Sequence, residues 1–362
     1  MRVSGCARGG KPRGIALGGA MKAVTIHAAR DLRIDEMIEP EVGAGEVEVR
    51  VGAGGICGSD LHYFQDGGFG TIRVREPMVL GHEIAGVVAA VGAGVTRVRV
   101  GDVVAVDPSR ACGTCRFCLE GLPRHCLNML FLGSAMRFPH VQGGFRERLV
   151  CTEAQAVPAE TGVELAAFAE PLAVCLHAGV QAGPLMGKRV LVTGSGPIGA
   201  LCVMVARHAG AREVVATDLA DEPLAVVRRV GADLGVNMRS EPDGLARFAG
   251  EKGYFDVAFE CSGAGAAVAA AVRVVRPGGV IVQVGIGGTE VPVPLNAVVA
   301  KEIVLRGTFR FDWEFEWAVG FIAAGVIDVG ALLTEQVPVR EAVRAFELAG
   351  DRTRAMKVQL VF

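Results

Sequence analysis

From Met21 to about Val150 the apolar positions fall in short alternating runs. Glu46-Val47-Glu48-Val49-Arg50-Val51 makes every second residue apolar, the period of a strand with one buried face. Gly52, Gly54 and Gly55 then break the run, and Val87-Val88 and Val103-Val104-Ala105-Val106 lie between further glycine turns. The pattern predicts a β-rich region with long loops. Beyond about Val157 it changes. Leu165–Ala182 reads as helical, and from Lys188 a cycle of strand, glycine turn and helix repeats. Arg189–Val192, Glu213–Ala216, Phe255–Phe259 and Gly279–Val284 are continuous apolar runs of the kind that parallel strands buried on both faces require. With helical stretches between them they predict a doubly wound α/β sheet. An amphipathic stretch, Trp313–Ala324, and a terminal strand, Lys357–Phe362, close the chain.

Composition narrows the field. The 362 residues suffice for two domains, and a net charge of -2 gives no electrostatic reason to expect nucleic acid or an anionic membrane as partner. Gly, Pro or charge interrupts the apolar runs well short of a membrane span. Four of the ten cysteines crowd into residues 112–126, and Cys57, Cys151, Cys175, Cys202 and Cys261 are scattered. With no secretory pattern before them, metal ligation and reduced thiols in the cytoplasm fit better than secreted disulfides. The first twenty residues are rich in Gly and Arg and lack acidic residues. They read as a disordered extension, or as sequence ahead of a true start at Met21.

Three constellations carry chemistry. In Cys112-x2-Cys115-x2-Cys118-x7-Cys126, four thiolates can close around one tetrahedral zinc with no open position, a site that holds a loop together. An iron–sulfur cluster is the other metal that uses four Cys. The second set is dispersed: Cys57 in Gly55-Ile56-Cys57-Gly58-Ser59-Asp60, His82 in Gly81-His82-Glu83, and Glu170 in Ala169-Glu170-Pro171. A thiolate, an imidazole and a carboxylate are what a catalytic zinc with one open position takes. Spacing alone leaves a buried Cys, a core His and a surface Glu equally open. The third is Val190-Leu191-Val192-Thr193-Gly194-Ser195-Gly196-Pro197-Ile198-Gly199, a G-x-G-x-x-G that follows a strand and opens a helix, the context of a dinucleotide pyrophosphate turn. Asp218 ends the next strand, where a carboxylate accepts from the ribose hydroxyls and repels a 2′-phosphate. Leu219–Pro223 offers no Arg or Lys to attract that phosphate, so NAD is expected over NADP.

Together these residues resemble the zinc-containing medium-chain alcohol and polyol dehydrogenases, from Met21 to Phe362. Gly54–Tyr63, Phe131–Met136, Phe138–Val141, Ala167–Val174, Arg306–Phe311 and Lys357–Phe362 are most similar to the L-idonate 5-dehydrogenase subfamily, although Arg137 stands where that subfamily has an aromatic. The resemblance implies a chaperonin-10-like β-rich catalytic domain over residues 21–160 and a Rossmann domain over 161–309. Residues 310–362 would return to the catalytic domain, with the active site in the cleft. It implies two zinc ions per chain, with Cys57, His82, Glu83 and Glu170 at the catalytic one, Glu83 and Glu170 bound directly or through water. Cys112, Cys115, Cys118 and Cys126 would hold the structural one. It adds Val284, Gly285, Thr308, Phe309 and Arg310 to the cofactor positions Gly194, Gly196, Pro197, Ile198, Gly199 and Asp218. Ser59 and His62 become a proton relay, and Tyr63 and Arg310 substrate contacts. Arg310 is a candidate for a carboxylate, with Arg137 or His140 as substitutes.

The implied reaction is NAD-dependent oxidation of L-idonate at C5 to 5-keto-D-gluconate, by a homo-oligomer acting on a small polyhydroxylated substrate. A sorbitol, xylitol or butanediol dehydrogenase needs the same machinery. A dinucleotide-binding protein with only a structural zinc is the reading from another class. Cys151, Cys175, Cys202 and Cys261 read as small buried residues.

Overall fold

The computed structural model describes residues 19–288 and 290–362. The extension expected over Met1–Ala20 lies outside the described residues except for Gly19 and Ala20, and the latter opens the first strand.

In chain order the elements that build the site are as follows. A hairpin, β1 (Ala20–Ala28) and β2 (Asp31–Ile38), precedes β3 (Glu46–Gly55). Helix α1 (Gly58–Asp66) follows, then β4 (Glu83–Val91), β5 (Val103–Val106), β6 (Arg148–Thr152) and β7 (Ala156–Pro158). Helix α2 (Ala169–Ala182) leads into β8 (Arg189–Thr193), α3 (Pro197–His208), β9 (Glu213–Asp218) and α4 (Asp221–Arg229). Then come β10 (Leu234–Asn237), β11 (Phe255–Glu260), α5 (Gly265–Val274), β12 (Val275–Gln283), α6 (Leu295–Lys301) and β13 (Val304–Gly307). The chain ends through α7 (Glu314–Ala323), β14 (Leu333–Pro338), α8 (Ala342–Gly350) and β15 (Lys357–Val361).

The strands form two main sheets. One has seven strands in the order β7-β5-β4-β3-β15-β14, with β6 also on β3. The alternation read at Glu46–Val51 is real: Val47, Val49, Val51 and Ala53 are buried, and the residues between them are more exposed. The second sheet has six parallel strands in the order β10-β9-β8-β11-β12-β13, with Val190, Leu191 and Val192 of β8 completely buried. This is a GroES-like β-rich unit joined to a Rossmann-like parallel sheet. The terminal strand leaves the second sheet behind and pairs antiparallel with β3, Gln359 opposite Gly55 and Val361 opposite Ala53.

Helix α2 lies at the junction. One hydrophobic cluster runs from Ala53, Ala85 and Ala105 of the first sheet through Leu172, Ala173 and Leu176 to Val190 and Val192 of the second. The helical stretch Val163–Ala182 has the length and apolarity of a membrane span, but 67% of it is buried inside the fold, as in a core helix.

Candidate active site

The end of β3 and the start of β4 bring two distant stretches together. Gly55 pairs with Glu83 in the ladder, and a Cβ on Gly55 would lie 2.0 Å from Glu83 Oε2. The glycine that ends the strand therefore leaves space for the carboxylate. Cys57 caps α1, and buried Asp60 ties both ligand loops: its Oδ2 accepts from Cys57 N at 3.1 Å and its Oδ1 from Gly81 N at 3.3 Å. Ligand atoms of Cys57, His82 and Glu83 all lie within 4.8 Å of one another. Glu170, in the first turn of α2, is buried nearby but outside that set.

Lys357 of β15 completes the floor. It is buried, donates to Ile56 O at 3.1 Å, and forms an ion pair with Glu83. Burial works to lower its pKa, but Glu83, Cys57 and Glu170 together outweigh burial and raise it. Burial likewise works to lower the pKa of His82, while Asp60 and Cys57 hold it well above the usual imidazole value. Burial raises Glu170 to about 7, against the pull of His82. Sequence reasoning quoted Lys357 and Asp60 only inside longer phrases. Nothing local to Lys357 marks it, since its partner Glu83 lies more than 270 residues away along the chain.

Above this floor is a cleft of about 330 Å³ lined by Phe131, Met136, Arg137, Phe309 and Arg310 among others. Phe131 joins it to the donor set, because its ring centroid is 5.5 Å from that of His82 and 4.3 Å from the Arg310 guanidinium. Among the described residues no carboxylate lies within ion-pair distance of Arg310; its side-chain contacts are Met136 Sδ at 3.3 Å and the rings of Phe131 and Phe309. Burial pushes its pKa down to about 10. Its φ of 54° is left-handed, an expense of about 1–2 kcal/mol for a residue with a side chain.

The other expected substrate contacts are placed differently. Tyr63 is buried, and its hydroxyl accepts from Ala135 N at 3.1 Å. Both ring nitrogens of His140 are engaged, Nε2 with Arg75 N at 2.9 Å and Nδ1 with Arg137 O at 2.7 Å. Arg137 is exposed and donates to Asn128 O at 3.0 Å. Ser59 is half-buried, and His62, one turn further on α1, is exposed with Nδ1 3.6 Å from Asp66.

The four clustered cysteines also gather, with all sulfurs within 4.8 Å of one another. Backbone amides of Cys112 and Asn128 donate to Cys126 Sγ at 3.2 and 3.3 Å, and that of Cys115 to Cys112 Sγ at 3.3 Å. Amides aimed at sulfur favour thiolates, the form a metal binds.

The glycine turn follows β8 and opens α3. Gly194 has a φ of 84°, and a Cβ on Gly199 would lie 1.8 Å from Gly194 O, whereas one on Gly196 would meet nothing within 4 Å. The open space at Gly196 is what a close-approaching phosphate needs, and Pro197 and Ile198 start the helix over it. Asp218 accepts from Ser195 N and Leu219 N, each at 2.7 Å, and from Ala220 N at 3.2 Å, which leaves lone pairs for ribose hydroxyls. Val284 and Gly285 follow β12, and Thr308, Phe309 and Arg310 follow β13, at the carboxyl ends of parallel strands where ligands bind such sheets. Thr308 Oγ1 is buried without a partner among the described residues.

Two residues here escaped the sequence reading. Glu260 is completely buried; its carboxylate accepts from Thr193 Oγ1 at 3.2 Å, from Ser262 N and Gly263 N at 2.9 Å each, and from Gln283 Nε2. It binds the glycine turn to the loops after β11 and β12. Arg239 is exposed just beyond Asn237, the partner of Asp218 in the neighbouring strand. The residues that directly follow Asp218 along the chain, Leu219–Pro223, contain no cation, whereas strand pairing brings Arg239, two residues beyond Asn237, to the same end of the sheet.

Residues 43–161 match the alcohol dehydrogenase GroES-like domain and residues 197–324 the zinc-binding dehydrogenase domain. The chain is 45% identical over 316 residues to L-idonate 5-dehydrogenase (NAD(P)(+)) of Escherichia coli K12, covering 87% of this chain and 91% of that enzyme. It is 35% identical over 355 residues to sorbitol dehydrogenase of Gallus gallus, covering 96% and 98%. The crystal structure of the Escherichia coli L-idonate 5-dehydrogenase superposes with a TM-score of 0.91 at 42% identity, over 95% of this chain and 99% of that one.

Proposed function

Because the chain belongs to the family of GroES-like, zinc-binding alcohol and polyol dehydrogenases, we propose that it oxidises L-idonate at C5 to 5-keto-D-gluconate with NAD. The observation that carries the sugar-acid reading is Arg310. It is a half-buried guanidinium without a carboxylate partner among the described residues, one aromatic ring away from the Cys57–His82–Glu83 donor set. A substrate carboxylate would supply the missing partner.

The donor set fits a catalytic zinc. Thiolate, imidazole and carboxylate converge here, His82 Nδ1 has no hydrogen-bond partner among the described residues, and Glu83 Oε2 faces the Lys357 ammonium. When bound, zinc lowers the pKa of the reacting hydroxyl toward neutrality. Cys57, His82 and Glu83 would hold it, with Glu170 beside them, and the four clustered cysteines would hold the second ion. Arg310 orients the acid end, and Ser59 and His62 carry the released proton from the half-buried start of α1 to its exposed face. The Gly194–Gly199 turn, Asp218, Val284, Gly285, Thr308 and Phe309 hold the dinucleotide. Strand β13 ends the parallel sheet with all four residues exposed, Val304 and Leu305 among them, an edge suited to pairing with a second copy.

Metal analysis tests this reading. Wild type should carry two zinc ions per chain, and Cys57→Ser should lose one of them together with turnover while keeping its thermal stability. Cys115→Ser should lower thermal stability, because it opens a metal-closed loop. One zinc in wild type, with Cys57→Ser unchanged, would leave only a dinucleotide-binding protein.

A further inference from the structure

Three thiols that the candidate site does not use meet beneath the glycine turn. Cys175 of α2 and Cys202 of α3 are completely buried, and Cys261, the residue after β11, is half-buried. Cys175 Sγ lies 3.4 Å from Ile198 O in the first turn of α3, and Cys261 Sγ lies 3.8 Å from Cys202 Sγ. All three are free. Packing accounts for the two buried thiols. It does not account for a third sulfur in van der Waals contact with one of them, on a half-buried residue at the end of β11.

We propose that Cys202 and Cys261 form a disulfide when a peroxide reaches the cofactor-free protein, and that this bond weakens dinucleotide binding. A disulfide sulfur pair is about 2.05 Å apart, so the two sulfurs must close by about 1.8 Å. Cys202 is fixed in a buried helix, so the segment that shifts is Cys261 with Ser262 and Gly263. That segment has no slack. A Cβ on Gly194 would stand 3.0 Å from Ser262, and one on Gly285 would stand 2.3 Å from Gly263 N. Cys261 N also donates to Thr193 O at 2.8 Å, and Glu260 holds the amides of Ser262 and Gly263. Drawing Cys261 toward α3 therefore pulls on the glycine turn and on the loop after β12 together. A dinucleotide lying over the turn hinders both the entry of peroxide and the shift.

The chemistry balances. Cys261 is the half-buried thiol of the pair and Cys202 is completely buried, so peroxide reaches Cys261 first and its thiolate is the first nucleophile. The thiolate attacks peroxide: an S–O bond forms, the O–O bond breaks and hydroxide leaves. Cys202 then attacks the sulfenic sulfur of Cys261: the S–S bond forms, the S–O bond breaks and water leaves. Two thiols lose two electrons and two protons, and hydrogen peroxide becomes two waters.

The test treats full-length, cofactor-free protein with hydrogen peroxide and alkylates the remaining thiols. Peptide mass spectrometry then looks for a Cys202–Cys261 link, and NADH fluorescence titration measures affinity. The link should form, form more slowly with NAD present, and accompany a loss of NADH affinity of about tenfold or more that dithiothreitol reverses. Cys202→Ala should keep its NADH affinity through the same treatment, and Cys261→Ala serves if that variant misfolds. Absence of the link, an unchanged affinity in linked protein, or an equal loss in the alanine variants would overturn the proposal. It rests on reading Gly194–Gly199 as the dinucleotide turn. Failure of the reduced protein to bind NADH would defeat that reading, whereas failure to form the link defeats this proposal alone.

Discussion

Replacing Arg310 by Met separates recognition of an acid from recognition of a polyol. The substitution removes the guanidinium but keeps an unbranched side chain between Phe131 and Phe309, and the left-handed φ of 54° stays as costly for Met as for Arg. The difference therefore isolates the charge. Arg310 is half-buried, and among the described residues its one side-chain hydrogen bond goes to a thioether sulfur. A charge-assisted pair with a substrate carboxylate contributes about 1.5–3 kcal/mol, or roughly 10- to 150-fold in kcat/KM. A hydroxyl of sorbitol in the same place would lose about 0.5–1.5 kcal/mol, roughly 2- to 13-fold. Steady-state kinetics on both substrates with NAD should show the larger loss for idonate, mostly in KM, with zinc content unchanged. Loss of the ring contacts should also lower thermal stability slightly, by about 0.5–1 kcal/mol. Equal losses for idonate and sorbitol would refute the reasoning and make Arg310 a contact for a hydroxyl or the cofactor.

Two further outcomes follow. Wild type should prefer NAD to NADP, and Asp218→Ala should narrow that preference, with Arg239 then able to attract a 2′-phosphate; equal use of both cofactors by wild type would contradict the role given to Asp218. Burial raises Asp107 from 3.8 to about 6, with Asp312 and Glu316 adding to it, so the folded state binds this proton more tightly than the unfolded chain does. Its ionisation therefore costs stability progressively as pH rises from about 4 to about 6, up to about 3 kcal/mol above that window. Asp107→Asn should raise the melting temperature at about pH 8 and change it little near pH 4, whereas an equal shift at both would count against this.

Much of the fold was legible because its signals are local. Alternation at Glu46–Val51, continuous apolar strands at Val190–Val192, and a glycine turn between strand and helix each lie within ten residues of chain. The four-cysteine motif was legible for the same reason. The dispersed site was legible only through family resemblance, because Cys57, His82 and Glu170 come from three elements that meet through strand pairing and helix packing. What escaped the reading is the support beneath them. Lys357 was read as part of a terminal strand, and only the pairing of that strand with β3 sets its ammonium against Glu83. His140 was held as a carboxylate candidate, but the fold commits both its nitrogens to backbone groups, a use no sequence pattern announces. Tyr63, expected beside the sugar, is buried, with its ring near Phe69 and its hydroxyl accepting from Ala135 N.

The central claim is that this chain uses NAD to oxidise a sugar acid that Arg310 holds beside the Cys57–His82–Glu83 site. It is tested most directly by kcat/KM of the zinc-loaded wild type with NAD on L-idonate, gluconate, sorbitol, xylitol and butanediol, followed by absorbance of the reduced cofactor. The account predicts the highest value for L-idonate, at least about tenfold above sorbitol, with 5-keto-D-gluconate as product. A wild type that prefers sorbitol, or that forms no reduced cofactor from idonate, would contradict it.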